Sequence, residues 1–110
     1  MIDKINAIKQ RFNEVNDLII QPDIISDAQR YIKLNREYKE LKRIVDIGDV
    51  YITLLDNIAE AKDMLRNDSD PEMKEMAKME LDESEPKLAD LEEEIKVLLI
   101  PKDPEDGKNA

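Results

Sequence analysis

Between residues 77 and 98, Ala77, Leu81, Ser84, Leu88, Leu91, Ile95 and Leu98 recur at alternating steps of four and three. That spacing lines them along one face of an α-helix. A helix with one apolar stripe must bury it against a neighbour, so the chain needs at least one more amphipathic helix. Two further stripes supply the partners. Met1, Ile5, Ile8, Phe12, Val15 and Ile19 form the first, ended by Pro22, because the residue before a proline avoids the helical region. Tyr31, Leu34, Tyr38, Leu41 and Val45 form the second, which resumes slightly out of phase at Tyr51, Leu55, Ile58 and Leu65.

The boundaries can be read from local chemistry. Pro22-Asp23 opens a short connection. Ser26 is expected to cap the second helix, with Gln29 reaching back three residues later. That helix should run to about Arg66, weakened near Gly48, where glycine costs roughly 0.5–1 kcal/mol relative to alanine. A break into two helices at Gly48 is the alternative. In Asn67-Asp68-Ser69-Asp70-Pro71, Asp70 can cap and Pro71 suits the first helical position. Pro86 removes a hydrogen bond to the carbonyl of Asp82, which predicts a kink or a short gap; the stripe stays in phase across it, favouring a kink. The expected fold is all-α: an elongated, antiparallel three-helix bundle resembling a coiled coil. With 2 glycines and 5 prolines in 110 residues, there is little material for the turns of an all-β fold.

Charge is unevenly placed. Residues 1–67 carry 11 basic and 12 acidic side chains, whereas residues 68–94 carry 3 basic and 12 acidic, a net of −9. A nucleic-acid partner would repel the second stretch, which should face away from it or face a protein. Histidine and cysteine are absent, so the commonest general base, the commonest soft nucleophile, thiolate metal sites and disulfides are all excluded. No glycine-rich loop precedes a helix, and no cofactor is called for. The carboxylate runs "LDESEP" (81–86) and "LEEEIK" (91–96) read as a solvated helix face, since carboxylate metal sites on helices pair Glu with His. Enzymatic activity within these residues is not expected. There is no membrane-spanning run and no secretory leader pattern, and the lack of cysteine fits the cytoplasm.

One asymmetric feature remains. Arg30, Lys33, Arg36, Lys39, Lys42 and Arg43 stand against only Glu37 and Glu40. Arg36, Lys39 and Arg43 lie opposite the Tyr31/Leu34/Tyr38 stripe and should face outward. They form a candidate partner-facing basic patch for RNA phosphates or an acidic protein. The bland alternative is a solubilising face with a weak Lys33–Glu37 pair. Tyr31 and Tyr38 are read as core residues rather than base-stacking ones.

Three stretches, "RYIKLNREYKELKRIVD" (30–46), "DPEMKEMAKMEL" (70–81) and "VLLIPKDPEDGKNA" (97–110), resemble the N-terminal domain of the bacterial class-I peptide chain release factors. The likeness is to the release factor 1 type, which reads UAA and UAG. The sister type usually has a tryptophan after the Gln-Pro-Asp turn, where Ile24 and Ile25 stand here, and lacks the Pro-Lys-Asp-Pro stretch. The resemblance implies a leading helical domain over residues 1–100 and a linker over 101–110 toward a further domain, with the chain cut just before that domain's first strand. It implies a full-length protein that recognises stop codons on the ribosome and triggers peptidyl-tRNA hydrolysis. Its Pro-x-Thr decoding motif and Gly-Gly-Gln loop are both absent from these 110 residues, so no catalytic or decoding residue carries over. The implied partners are the ribosome near its stalk base, with ribosomal RNA and protein, and the recycling GTPase. The chain itself is expected as a monomer or a weakly self-associating dimer, without a membrane. Charge and heptads alone would also suit a free-standing scaffold or chaperone-like coiled coil, and the acidic segment alone a nucleic-acid mimic.

Overall fold

The computed structural model describes residues 1–101, all helices and short connections. The helices are α1 (Ile2–Ile19), α2 (Pro22–Ile25), α3 (Ala28–Asn67) and α4 (Pro71–Leu98). Among the described residues there is no strand.

Helix α3 sets the shape. At about 1.5 Å of rise per residue, its 40 residues reach about 60 Å, close to the longest extent of the molecule, 62 Å. Helix α1 packs on the first part of α3, and α4 on its later part. The bundle is therefore staggered, and all three long helices meet only at a waist. There Ile5 of α1, Tyr51 of α3 and Ile95 of α4 form one buried cluster, with Met1, Ile47, Leu55, Leu91 and Leu99 against it. Beyond the waist, Ile58 and Ala61 of α3 pack on Ala77 and Leu81 of α4. Leu88 borders both clusters.

The α4 stripe behaves as its spacing predicts. Ala77, Leu81, Ser84 and Ile95 are buried, and Leu88, Leu91 and Leu98 half-buried. Asp70 caps the helix, accepting from the Glu72 amide at 3.0 Å, and Pro71 takes the first position. The helix passes through Pro86 without a gap. Pro86 is exposed, as is Asp82, so water can satisfy the carbonyl that loses its partner. Buried Ser84 donates its hydroxyl to Glu80 at 3.0 Å.

Gly48 does not break α3. The helix is continuous through it, and the glycine is buried against α1. A Cβ at this position would stand 2.8 Å from Cγ2 of Ile5, so the missing side chain is what lets α1 approach.

Three local expectations need correction. The connection after Pro22 contains a helical turn, α2, because proline at its first position already has helical φ and Ile24 is buried beneath it. Ser26 closes α2 instead of opening the next helix, its hydroxyl donating to the Asp23 carbonyl. Asp27 is the cap of α3, accepting from the Arg30 amide at 3.3 Å. Tyr31, in the first turn of α3, is exposed, whereas Tyr38 is half-buried.

Candidate functional site

The basic face of α3 is the starting point. Arg36, Lys39 and Arg43 are all exposed, and no ion pair engages any of the three among the described residues. The structure does not gather them into one site. Arg36 lines an open groove with Arg30 and Lys33, floored by Leu18 and Leu34 and edged by Arg11, Glu37 and Glu40. Arg43 lines a different groove, with Ile8 and Ile44 on one side and Leu98, Leu99 and Ile100 on the other. Seven residues of helix separate Arg36 from Arg43 by about 10 Å along the axis. Lys39 projects from the face between them, and Glu40 borders both grooves.

Within the first groove the charges divide into fixed and available ones. Arg11 grips Glu37 through two parallel bonds, Nε to Oε2 at 2.6 Å and Nη2 to Oε1 at 2.8 Å. A third bond runs from Nη1 to Glu14 at 3.2 Å. The bidentate bond from Arg11 holds the Glu37 carboxyl below the usual carboxylate range and raises the guanidinium. Glu37 is therefore engaged across the helices with Arg11, and the expected Lys33–Glu37 pair does not form. Lys33, Arg30 and Arg36 keep their charge toward solvent, where it can attract an anionic partner.

Sequence reasoning missed this clamp. Arg11 precedes Phe12 and Glu37 precedes Tyr38, and the two rings stack with centroids 5.1 Å apart. The ring pair sets the register that brings the charged pair together, and one stripe alone does not reveal register. Lys9 forms a second cross-helix pair with Asp49 at 2.6 Å. Lys42 bonds Asp46 on its own helix at 2.9 Å, which raises the Lys42 ammonium and takes it out of the free basic set.

Among the described residues no group of three or more Asp and Glu side chains is placed to share a metal ion. Among the described residues no helix is long and apolar enough to cross a membrane. At the waist, Tyr51 donates its hydroxyl to Glu92 at 3.2 Å; burial, then the nearby carboxylate, pushes the phenol up. On α4, Met76 and Met79 lie off the buried stripe and are 63% and 62% exposed. That departure was visible in the sequence, since neither falls on the four-three spacing.

Comparison with known proteins agrees over the whole chain. Residues 8–110 match the PCRF domain. The chain is 57% identical over 110 residues to peptide chain release factor 1 of Flavobacterium johnsoniae, covering 100% of this chain and 31% of that protein. It is 52% identical over 110 residues to the factor of Bacteroides fragilis, all of this chain and 30% of that protein. With the factor of Cytophaga hutchinsonii it shares 50% over 109 residues, 99% of this chain and 30% of that protein. The chain thus spans under a third of the length of these relatives, matching their N-terminal part. No solved structure matches.

Proposed function

This chain belongs to the PCRF domain family, and we propose that it is the leading docking domain of a translation termination factor. In that reading residues 1–100 form the docking domain, and residues 101–110, of which 102–110 lie outside the described residues, lead toward further domains. The whole factor reads UAA and UAG on the ribosome and triggers peptidyl-tRNA hydrolysis. This part supplies neither chemistry: it has no adjacent glycines for a Gly-Gly-Gln loop and no Pro-x-Thr tripeptide. It works in the cytoplasm by positioning.

The observation that carries the reading is the full-length match to release factor 1 proteins. The exposed Arg36, Lys39 and Arg43 on one face of α3, in no ion pair among the described residues, give docking a physical means. We assign that face to ribosomal RNA and protein near the stalk base. The acidic face of α4 then points away from RNA, where the recycling GTPase can approach. The free-standing scaffold suggested by heptads alone is disfavoured, because the match follows the chain end to end.

The test uses a full-length factor carrying this domain. Reversing Arg36, Lys39 and Arg43 to Glu should weaken ribosome binding, more at low salt than at high, because surface charges are screened over about 8 Å at physiological ionic strength. Unchanged binding at low salt would reduce the patch to a solubilising role. The 110-residue chain alone should release no peptide from stalled termination complexes; measurable release would overturn the docking assignment.

A further inference from the structure

The two arms of the molecule carry opposite surfaces, and the acidic arm holds an apolar strip that folding does not use. Met76 and Met79 sit one turn apart on α4, outside the stripe that packs on α3, and form a shallow groove with Glu80, Asp82 and Glu83. Met76 and Glu80 also belong to the adjoining groove between α3 and α4, where Glu60 and Met64, itself half-buried against the core, continue the strip. The result is one surface of three methionines bordered by carboxylates, with no lysine or arginine lining it. Glu80 is further fixed by the hydroxyl of buried Ser84.

We propose that this surface docks a basic amphipathic segment of a partner protein, of a kind that lays an apolar face on the methionines and its lysines or arginines over the acidic rim. Three features select that occupant. Methionine is flexible and polarisable, so it adapts to varied apolar side chains. The charged residues lining it are all acidic, which disfavours nucleic acid and anionic membranes and favours a cation-bearing partner. The strip runs for about two turns along each of two packed helices, a shape that suits a short helix laid in a groove. This rests on the reading above that the acidic face of α4 meets a protein, and names the kind of segment that face takes.

The test is a titration of the chain, labelled at the methionine methyl carbons, with a synthetic amphipathic peptide of lysine and leucine. The Met76 and Met79 resonances should shift saturably while Met1, at the waist, stays in place. The paired change Met76→Gln with Met79→Gln should weaken binding at least about tenfold, equivalent to about 1.4 kcal/mol. Glu60→Gln with Glu83→Gln should weaken it too and flatten its salt dependence. A peptide of the same composition with its amphipathic order scrambled should bind much more weakly. Equal binding by the scrambled peptide, or no shift at Met76 and Met79, would overturn the proposal. Two other outcomes would also overturn it, by assigning the strip to another occupant. One is a shift of these methyls with protein concentration alone, meaning a second copy; the other is loss of peptide binding in a full-length factor, meaning an internal contact.

Discussion

The two ends of α3 are held by different forces. Along its first half the partner is α1, whose Val15 is fully buried, and polar and aromatic links are added to that apolar contact: Arg11 to Glu37, Lys9 to Asp49, and Phe12 stacked on Tyr38. Along its second half the partner is α4, and the links are Ile58, Ala61, Ala77 and Leu81 in one apolar cluster. No ion pair crosses between α3 and α4 among the described residues. Exposed ion pairs contribute about 0–1 kcal/mol each, whereas burying one large aliphatic side chain contributes roughly 1.5–3 kcal/mol. Because its added links are ionic, the α1 end, which bears the exposed basic face, should respond more to salt and pH than the α4 end.

The waist offers the strongest way to break this contrast. Ile5 and Ile95 are fully buried, so Ile95→Ala should cost about 2–5 kcal/mol and melt both arms together in thermal unfolding. If only the α4 arm melts, the arms are separate folding units and the waist does not couple them. Gly48→Ala comes next. The added Cβ meets the branched methyl of Ile5, which is close to the backbone and cannot swing aside. The overpacking, about 1–3 kcal/mol, should exceed the roughly 1 kcal/mol of gained helix propensity, giving a net loss. Combining it with Ile5→Leu, which removes that methyl, should recover most of the difference; equal losses in both backgrounds would place the strain elsewhere.

Smaller effects separate the arms. Glu37→Gln should lower stability by no more than about 1 kcal/mol and raise amide exchange in α1 and the first half of α3, leaving α4 unchanged. Acid should act on the α1 arm. The folded Glu37 carboxyl titrates below its unfolded value, so its contribution is present above that value and lost as pH falls through the lowered one. Below about pH 4 the α1 arm should exchange faster. At the alkaline end the raised Tyr51 phenol favours the fold below its unfolded value, near 10, and that contribution fades as pH rises through the folded one. Absorbance at the tyrosinate band should show one of the three tyrosines ionising late.

The α4 arm was almost wholly legible in the sequence, because its stripe is regular, its cap is Asp70-Pro71 and its boundary has few alternatives. The α1 arm was less so. Whether Ser26 or Asp27 caps α3 depends on a single-turn helix held by one buried side chain, Ile24. Gly48 reads locally as a helix weakness and is explained only by Ile5, forty-three positions away. The outward direction of Arg36, Lys39 and Arg43 followed from the stripe. Their division between two grooves did not, because it depends on where α1 and the end of α4 lie.

An unbroken 40-residue helix running the length of the molecule also acts mechanically. It is a beam clamped at its middle. With each end about 30 Å from the waist, a rigid tilt of some 5° there would swing either tip by on the order of 2–3 Å. Movement at one tip would swing the other in the opposite sense, as on a seesaw. Whatever grips one end of α3 thereby gains leverage over what the other end presents.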